Sequence, residues 1–246
     1  TLNSKTGIFD TIIMKIKILL VIGSLISGSV AFADPTPFRA VYKTDYKGPP
    51  VSATAIRELK QVADHRYLFT STAKSFFISV TEQSLFDWHD RATPLEYQYS
   101  RKGIGKNRND RMTFDWQSNT ANREELDFDV IPGTLDRLLY QLQMREDLNA
   151  ANDEQWPKMQ YEVADRGRTR VYDFEVTGRE VITTPLGDID TIRATRIRED
   201  SDRVTTFWLA PDYEFLLVRF LQQEEKGGFE LLLKEAEFDG EPLTGL

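Results

Sequence analysis

The chain has 246 residues, of which 40% are hydrophobic and 28% charged, and this composition is typical of an ordinary globular protein. The formal net charge is −8, and residues 1–33 carry a net +2, so the remainder carries −10. Such an acidic body argues against general nucleic-acid binding, which needs a basic face. The absence of cysteine excludes disulfides, thiolate metal sites and a cysteine nucleophile.

Residues 14–33 have the three parts of a secretory signal. Residues 14–17 supply two lysines, residues 18–30 are an uncharged apolar stretch, and Ala31-Phe32-Ala33 is the small-x-small pattern that signal peptidase recognises. The apolar stretch is too short to cross a bilayer comfortably, since roughly 20 residues are needed. The sequence therefore predicts export to the periplasm, cleavage after Ala33 and no transmembrane anchor after cleavage. An uncleaved N-terminal anchor is the alternative.

Residues 1–13 precede this signal, although a signal peptide begins at its methionine. They show no signal character, and we interpret them as an upstream mis-start or as residues foreign to the natural protein. No low-complexity linker divides residues 34–246, which we therefore expect to form one β-rich domain.

Period-two alternation dominates the first half of this domain and predicts strands. Phe38–Tyr46 ends at a Gly-Pro-Pro breaker, and residues 51–60 are its expected partner, in which Arg57 shares a side with two alanines. The stretch 66–88, with its Phe76-Phe77 pair, has the composition of strands that half-bury one face.

One segment predicts a helix. Thr134 is a reasonable N-cap after Pro132-Gly133. Four leucines then fall at i, i+3, i+4 and i+7 and form one apolar stripe: Leu135, Leu138, Leu139 and Leu142. We expect this helix to run to about Asp147 and to cover a sheet, because an amphipathic helix among strands needs an apolar surface on which to pack.

The second half of the domain returns to short strands separated by turn residues. The expected strands are 159–164, 170–180, 181–184, 189–199, 204–209, 215–223 and 229–238. Strands at this spacing indicate antiparallel connections rather than βαβ units. The predicted fold class is therefore mainly β, a curved antiparallel sheet or incomplete barrel with one amphipathic helix packed on it.

The sequence predicts no catalytic residue, no metal site and no cofactor. His65 and His89 are the only histidines, no Gly-x-Ser-x-Gly pattern occurs, and Gly103-Ile-Gly105 lacks the third glycine of a dinucleotide-binding loop. Neighbouring carboxylates such as Glu124-Glu125 are the residue type that a glycosidase needs, so this activity stays an alternative, although acidic runs are common on protein surfaces.

The hairpin at residues 101–110 places cations beside aromatic residues on the two flanking strands. The candidate ligand-binding residues are Tyr97, Tyr99, Phe114, Trp116, Arg101, Lys102, Lys106 and Arg108. An apolar slot with a cationic mouth suits an acyl chain with an anionic headgroup. The alternatives are ordinary core packing for the aromatic residues and a solvated hairpin tip for the cations.

The order of short motifs resembles a bacterial exported family, domain of unknown function 3108. The motifs are Phe38 with Tyr42, Pro94–Tyr99, Phe114–Trp116, Asp136–Leu142, Pro185–Gly187 and Phe207–Asp212. A departure from the pattern is Leu217, where proline is expected. The resemblance implies an incomplete antiparallel barrel with a helix at its concavity, as in periplasmic lipoprotein carriers. The family has no assigned activity, so the resemblance implies no catalytic residue.

These observations predict a periplasmic, non-enzymatic protein that binds a hydrophobic or amphipathic, lipid-like ligand or an envelope component. The expected partners are a lipid or lipoprotein, or an envelope protein, and not a nucleic acid. Two alternatives remain open, a protein-interaction or assembly factor of the cell envelope and a hydrolase of an envelope polymer.

Overall fold

The computed structural model describes residues 34–46, 53–151, 156–198, 202–225 and 227–244. The predicted signal at residues 14–33 and the preceding residues 1–13 lie outside the described residues. Every described element belongs to one compact unit, Phe32–Leu246. No helix among the described residues combines the length and the apolar character needed to span a membrane.

The chain forms two successive groups of strands with one α-helix between them. The first group, β1 to β8, consists of Phe38–Tyr46, Ala53–Ala63, Arg66–Lys74, Ile78–Trp88, Ala92–Gly103, Arg108–Asp115, Thr120–Arg123 and Leu126–Asp129. The second group, β9 to β16, consists of Leu135–Asp136, Met159–Ala164, Thr169–Thr184, Gly187–Ile197, Val204–Ala210, Leu216–Glu224, Gly227–Phe238 and Glu241–Pro242. The α-helix α1 is Leu139–Asn149, and Pro211–Tyr213 is a short 3₁₀ turn.

All of these strands belong to a single curved sheet that stays open and does not close into a barrel. Its order is β8-β7-β6-β5-β4-β3-β2-β1-β15-β14-β13-β12-β11-β10-β9, with β16 beside β15. Neighbours are antiparallel except β9 and β10, which are parallel. Strand β1 pairs with β2 on one side and with β15 on the other, and so joins the two groups. The predicted fold class, a curved antiparallel sheet with one packed helix, is confirmed.

Helix α1 packs against strands of both groups. The amide nitrogen of Ala92 in β5 donates to Gln143 Oε1 at 2.9 Å, and the Tyr140 ring lies 5.7 Å from the ring of Phe174 in β11. Seven of the eleven helix residues are buried, on more than one side of the helix. A helix covered on several sides needs a surface that wraps around it, and the curved sheet provides that surface.

The helix begins later than its sequence pattern suggests. Leu135 and Asp136 pair with β10 and are taken into the sheet, so the first helical residue is Leu139. The carboxylate of Asp136 accepts hydrogen bonds from the amide nitrogens of Leu138 and Leu139, both at 2.8 Å, and thereby satisfies free donors of the first turn. The prediction of Thr134 as N-cap is wrong, because its hydroxyl accepts instead from Ile131 N, inside the preceding turn.

Two strand predictions also need correction. The expected strands 170–180 and 181–184 are one strand, β11, because a bulge at Gly178 accommodates the break in alternation without ending the pairing with β12. Phe76 and Phe77 do not half-bury a strand face. They form the tip of the β3–β4 hairpin, where Phe76 is 93% exposed and Phe77 is 49% exposed.

Truncating α1 on its buried side is expected to weaken the whole fold. Leu139→Ala removes a fully buried side chain, so we expect the free energy of unfolding to fall by about 2–5 kcal/mol in urea denaturation. The control is Val62→Ala on an exposed strand end, which should change it by less than about 0.5 kcal/mol. Similar values for both variants would show that α1 is not part of the cooperative core.

Candidate functional site

The aromatic residues that the sequence singles out on β5 and β6 pack on one another and on neighbouring strands. Tyr97 and Phe114 are buried, and Tyr99 and Trp116 are half-buried. Phe114 stacks on Trp116 with ring centroids 5.6 Å apart, and Trp116 Nε1 donates to the carbonyl oxygen of Pro94 at 2.8 Å. Burial and the nearby Glu82 carboxylate raise the pKa of the Tyr97 hydroxyl.

The basic residues of the same hairpin lie at its other end. Arg101 donates to the carbonyl oxygens of Ile104 and Lys106 at 3.0 and 2.7 Å, which ties the loop together. Arg108 pairs with Asp110 at 3.0 Å, and Lys102 and Lys106 are exposed.

The structure therefore brings only part of the predicted set together. The guanidinium of Arg108 lies 5.7 Å from the Tyr99 ring centroid. Trp116, in contrast, lies about 26 Å from Arg108, because eight residues of an extended strand separate them.

A second set of cations faces the concave side of the sheet, and we call it the inner arginine cluster. Its members are Arg57 of β2, Arg137 before α1, Arg196 of β12 and Arg198 after β12. Arg57, Arg196 and Arg198 lie close enough to Tyr140 of α1 for their charges to interact with its hydroxyl. Burial raises the pKa of this hydroxyl, and the charges of Arg196 and Arg57 act against the rise. Burial and the charge of Arg196 lower the pKa of Arg198 to about 10.

Most of the cluster has identifiable partners. Arg137 lies 3.5 Å from the carboxylate of Asp165 and 4.0 Å from that of Glu82. The guanidinium carbon of Arg196 lies 3.2 Å from the centroid of the Tyr172 ring, a close cation–π contact.

Arg57 is the buried member of the cluster. Its residue is 5% exposed, its Nε has no hydrogen-bond partner, and no carboxylate in the described part of the chain lies within 4.0 Å of its guanidinium. The Nε of Arg196 also lacks a hydrogen-bond partner, but Arg196 is half-buried. The visible contact of Arg57 is the Phe69 ring, whose centroid lies 5.0 Å from the guanidinium carbon. Burial lowers the pKa of Arg57. A buried cation without a paired anion is expensive to keep in a fold.

Arg57 lines a small cavity of about 20 Å³ between α1 and the sheet. Arg145 of α1 lines the same cavity; two of its nitrogens donate to Glu214, while its buried Nη1 has no partner. The other lining residues are mainly apolar and include Phe38, Phe69, Leu142, Phe207, Leu216 and Leu217. A cavity of this size has room for about one water molecule.

This arrangement is suited to binding an anion. Guanidinium groups present N–H donors in a geometry that matches carboxylate and phosphate oxygens, and an apolar surrounding strengthens such pairs. Among the described residues no group of three or more His, Cys, Asp or Glu side chains is placed to hold a metal ion.

The outer face of the first group carries a different feature, an open polar groove of about 550 Å³ across β4, β5 and β6. It is lined by Thr81, Gln83, Gln98, Ser100, Asn109, Arg111 and Glu124, among others. Amides, hydroxyls, two carboxylates and one guanidinium line this groove, so its surface suits a polar partner rather than an apolar one.

A search with family models finds "Protein of unknown function (DUF3108)" over residues 41–234. The chain belongs to this family. The assignment covers the sheet from β1 to β15, including α1 and every member of the inner arginine cluster. None of the curated proteins matches the chain.

One solved structure supports the fold of this DUF3108 protein. A beta-barrel-like protein of domain of unknown function DUF1849 from Brucella abortus shares 10% sequence identity, with a TM-score of 0.53, over 84% of this chain and 99% of that chain. A proposed lipoprotein from Parabacteroides distasonis shares 12% identity, with a TM-score of 0.33, over 84% of this chain and 97% of that chain. At such identities the first likeness concerns the fold alone.

Sequence reasoning missed Arg57 as a site residue, although a signal was present. Arg57 alternates in phase with Ala53, Ala55 and Leu59 on β2, and the last two of these are buried. If small and apolar residues mark the inner side of a strand, a cation in the same phase is also placed inside. Arg196 carries a similar signal, because it alternates in phase with the buried Ile192 and Ala194 on β12.

Asp136 is expected to make stability depend on pH. Its carboxyl is buried, and burial raises its pKa to about 7. Besides the two hydrogen bonds at the start of the helix, the carboxyl accepts one from Ser84 Oγ at 2.8 Å. Between about pH 4 and pH 7 the carboxyl is therefore protonated in the folded state and ionised in the unfolded state. The free energy of unfolding falls as pH rises through this window, by up to about 1.4 kcal/mol per pH unit.

Asp136→Asn should remove this part of the pH dependence. We expect the stability difference between wild type and variant to shrink or reverse from pH 5 to pH 8 in urea denaturation series. The control is Asp87→Asn, since Arg66 holds the pKa of Asp87 below its ordinary value and its effect is constant over that range. Parallel pH profiles for wild type and Asp136→Asn would contradict the assignment.

Proposed function

We propose that this DUF3108 protein is exported to the periplasm and binds an anionic, lipid-like amphiphile there without catalysing a reaction. The observation that carries the proposal is Arg57, a buried cation without a paired anion at the edge of an apolar cavity. A ligand carboxylate or phosphate would supply the missing partner, and Arg145 Nη1 offers a further donor on the same cavity.

The apolar part of the ligand needs space that the cavity does not offer as it stands. We propose that α1 moves outward, so that the chain of the ligand takes over the sheet surface now covered by Leu142. Contacts between helix and sheet would then be replaced by contacts between acyl chain and sheet of a similar apolar kind, which keeps the loss of buried apolar area small. The polar contacts of α1 with Ala92 and Glu214 would have to open.

A pair of ligands with the same chain and different headgroups tests the role of Arg57. We expect dodecanoate, added to the full chain, to raise the melting temperature and to appear as a bound mass in native mass spectrometry. Dodecanol, which has the same chain and no charge, should do so much less, because it cannot neutralise the guanidinium. Equal effects of the two ligands would refute an anion-binding site at Arg57.

Arg57→Met separates binding from stability. The substitution replaces the unpaired cation by an apolar side chain of similar length, so the ligand-free protein should be as stable as wild type or more stable by about 1–3 kcal/mol. The preference for dodecanoate over dodecanol should disappear. The control is Arg66→Met, which removes an exposed arginine paired with Asp87 and should leave the preference intact. A preserved preference in Arg57→Met would overturn the proposal.

Export has its own test. In a Gram-negative host, the protein recovered from the periplasm should begin at Asp34, because Ala31 and Ala33 fit the small-residue positions of the cleavage site. Edman sequencing of the recovered protein checks this, and an N-terminus other than Asp34 would move or remove the predicted site. A variant with Ala33→Arg should accumulate uncleaved.

A second candidate function is a protein-interaction or assembly factor of the cell envelope. The filled interior and the open polar groove on the outer face favour it. A chain that takes up neither dodecanoate nor phospholipid while it remains folded would point to this function instead.

A further inference from the structure

Two hairpin tips lie side by side at one end of the sheet and expose apolar side chains. Phe76 and Phe77 form the tip between β3 and β4, and Ile104 lies in the tip between β5 and β6. Their exposed fractions are 93%, 49% and 65%, respectively. The core does not use these side chains, so their size and apolar character need another explanation.

The backbone holds the two tips together. The amide nitrogen of Ile104 donates to the carbonyl oxygen of Phe77 at 3.0 Å. This close approach depends on Gly103, which has a positive φ of 119° and where a Cβ atom would collide with that same carbonyl oxygen. Ser75 Oγ accepts from the amide nitrogens of Phe77 and Ile78 and shapes the first tip. The three apolar side chains are therefore presented on a defined edge.

Cations flank this edge, and acids are absent from the segments that form it. Residues 72–81 and 97–109 contain no Asp or Glu. Lys74 and Lys102 both pair with Ser79 across neighbouring strands, so the two lysines lie in one row on the same face of the sheet. Lys106 lies in the second tip, and all three lysines are exposed. We call Phe76, Phe77 and Ile104 with these three lysines the docking edge.

We propose that the docking edge binds an anionic lipid bilayer. Phe76, Phe77 and Ile104 enter the boundary between headgroups and acyl chains, while the lysines reach the lipid phosphates. This combination of protruding apolar side chains and surrounding cations is the chemistry that adsorbs proteins to anionic membranes. The proposal does not depend on ligand binding at Arg57.

The shape of the docking edge favours a bilayer over a protein partner. Its apolar side chains protrude, so a protein would need a matching pocket, whereas a bilayer receives any protruding apolar tip. Lysine ammonium groups are flexible point charges that suit phosphates without fixed positions. The acids at the same end of the sheet are separated from β3 by at least two strand spacings, about 10 Å for Asp45 of β1 and about 15 Å for the acidic turn at Glu224 and Glu225. Both distances exceed the screening length of about 8 Å at physiological ionic strength.

Vesicle sedimentation of the full chain tests the proposal. The vesicles consist of phosphatidylcholine with or without one quarter phosphatidylglycerol. We expect binding to the anionic vesicles, and a fall of at least tenfold in the partition coefficient for Phe76→Ser with Phe77→Ser. Lys102→Gln with Lys106→Gln should lower it by a similar factor, and this second effect should vanish in high salt. The melting temperatures should not change, because the substituted side chains are exposed.

Matched controls use the opposite end of the sheet and other lysines. Val62→Ser removes an exposed apolar side chain there, and Lys60→Gln with Lys158→Gln removes the same charge as the lysine pair. Both should bind like wild type. The apolar segment 18–30 is identical in every variant, so it cannot cause a difference in binding between them.

The absence of cysteine allows a direct measurement of insertion. Phe76→Cys and Val62→Cys each provide one attachment point for an environment-sensitive dye. We expect a blue shift with anionic vesicles for the dye at position 76 and none at position 62. Equal binding of the tip variants and the controls, equal binding to both kinds of vesicle, or an unshifted dye at position 76 would each overturn the proposal.

Discussion

The pairing of β1 with both β2 and β15 holds the two groups of strands in one sheet. Tyr42 of β1 is fully buried and its hydroxyl donates to the carbonyl oxygen of Leu217 at 2.9 Å, which adds a side-chain link across the junction. Without this strand each group would present an unpaired sheet edge, which invites association with other chains. Helix α1 would also lose the joined surface on which it packs, since it contacts strands of both groups. The concave interior and everything placed in it depend on this junction.

The interior between α1 and the sheet contains charged side chains that the stability of the fold does not require. Arg57, Arg145 and Asp136 all lie buried near α1, and each has a polar atom without a partner. Replacement of buried charges by apolar side chains of similar size is often neutral or stabilising. Stability therefore does not explain Arg57, and the proposed function assigns it to ligand binding for this reason. Arg145 differs from Arg57 because it has a structural role as well. Its contacts with Glu214 attach α1 to the turn after β13.

The inner arginine cluster and the docking edge use two different properties of one sheet. Curvature brings cations from β2 and β12, which lie on opposite sides of the junction, around a single helix. Antiparallel pairing places alternate hairpin tips at the same end, so the tips after β3 and β5 become neighbours. Phe76 and Ile104 at those tips are the most exposed large apolar side chains in the described part of the chain.

Local sequence patterns determined the strands, the helix as an element and the fold class, because the phase of alternation shows which side of a strand is buried. They also determined the predicted export signal, which is a local pattern in itself. Tertiary structure decided the start of α1, because pairing with β10 removes Leu135 and Asp136 from the helix. It likewise decided the burial of Arg57 and the meeting of Phe77 with Ile104. Phase says which side a residue faces, but only the register between distant strands determines what covers that side and which tips become neighbours.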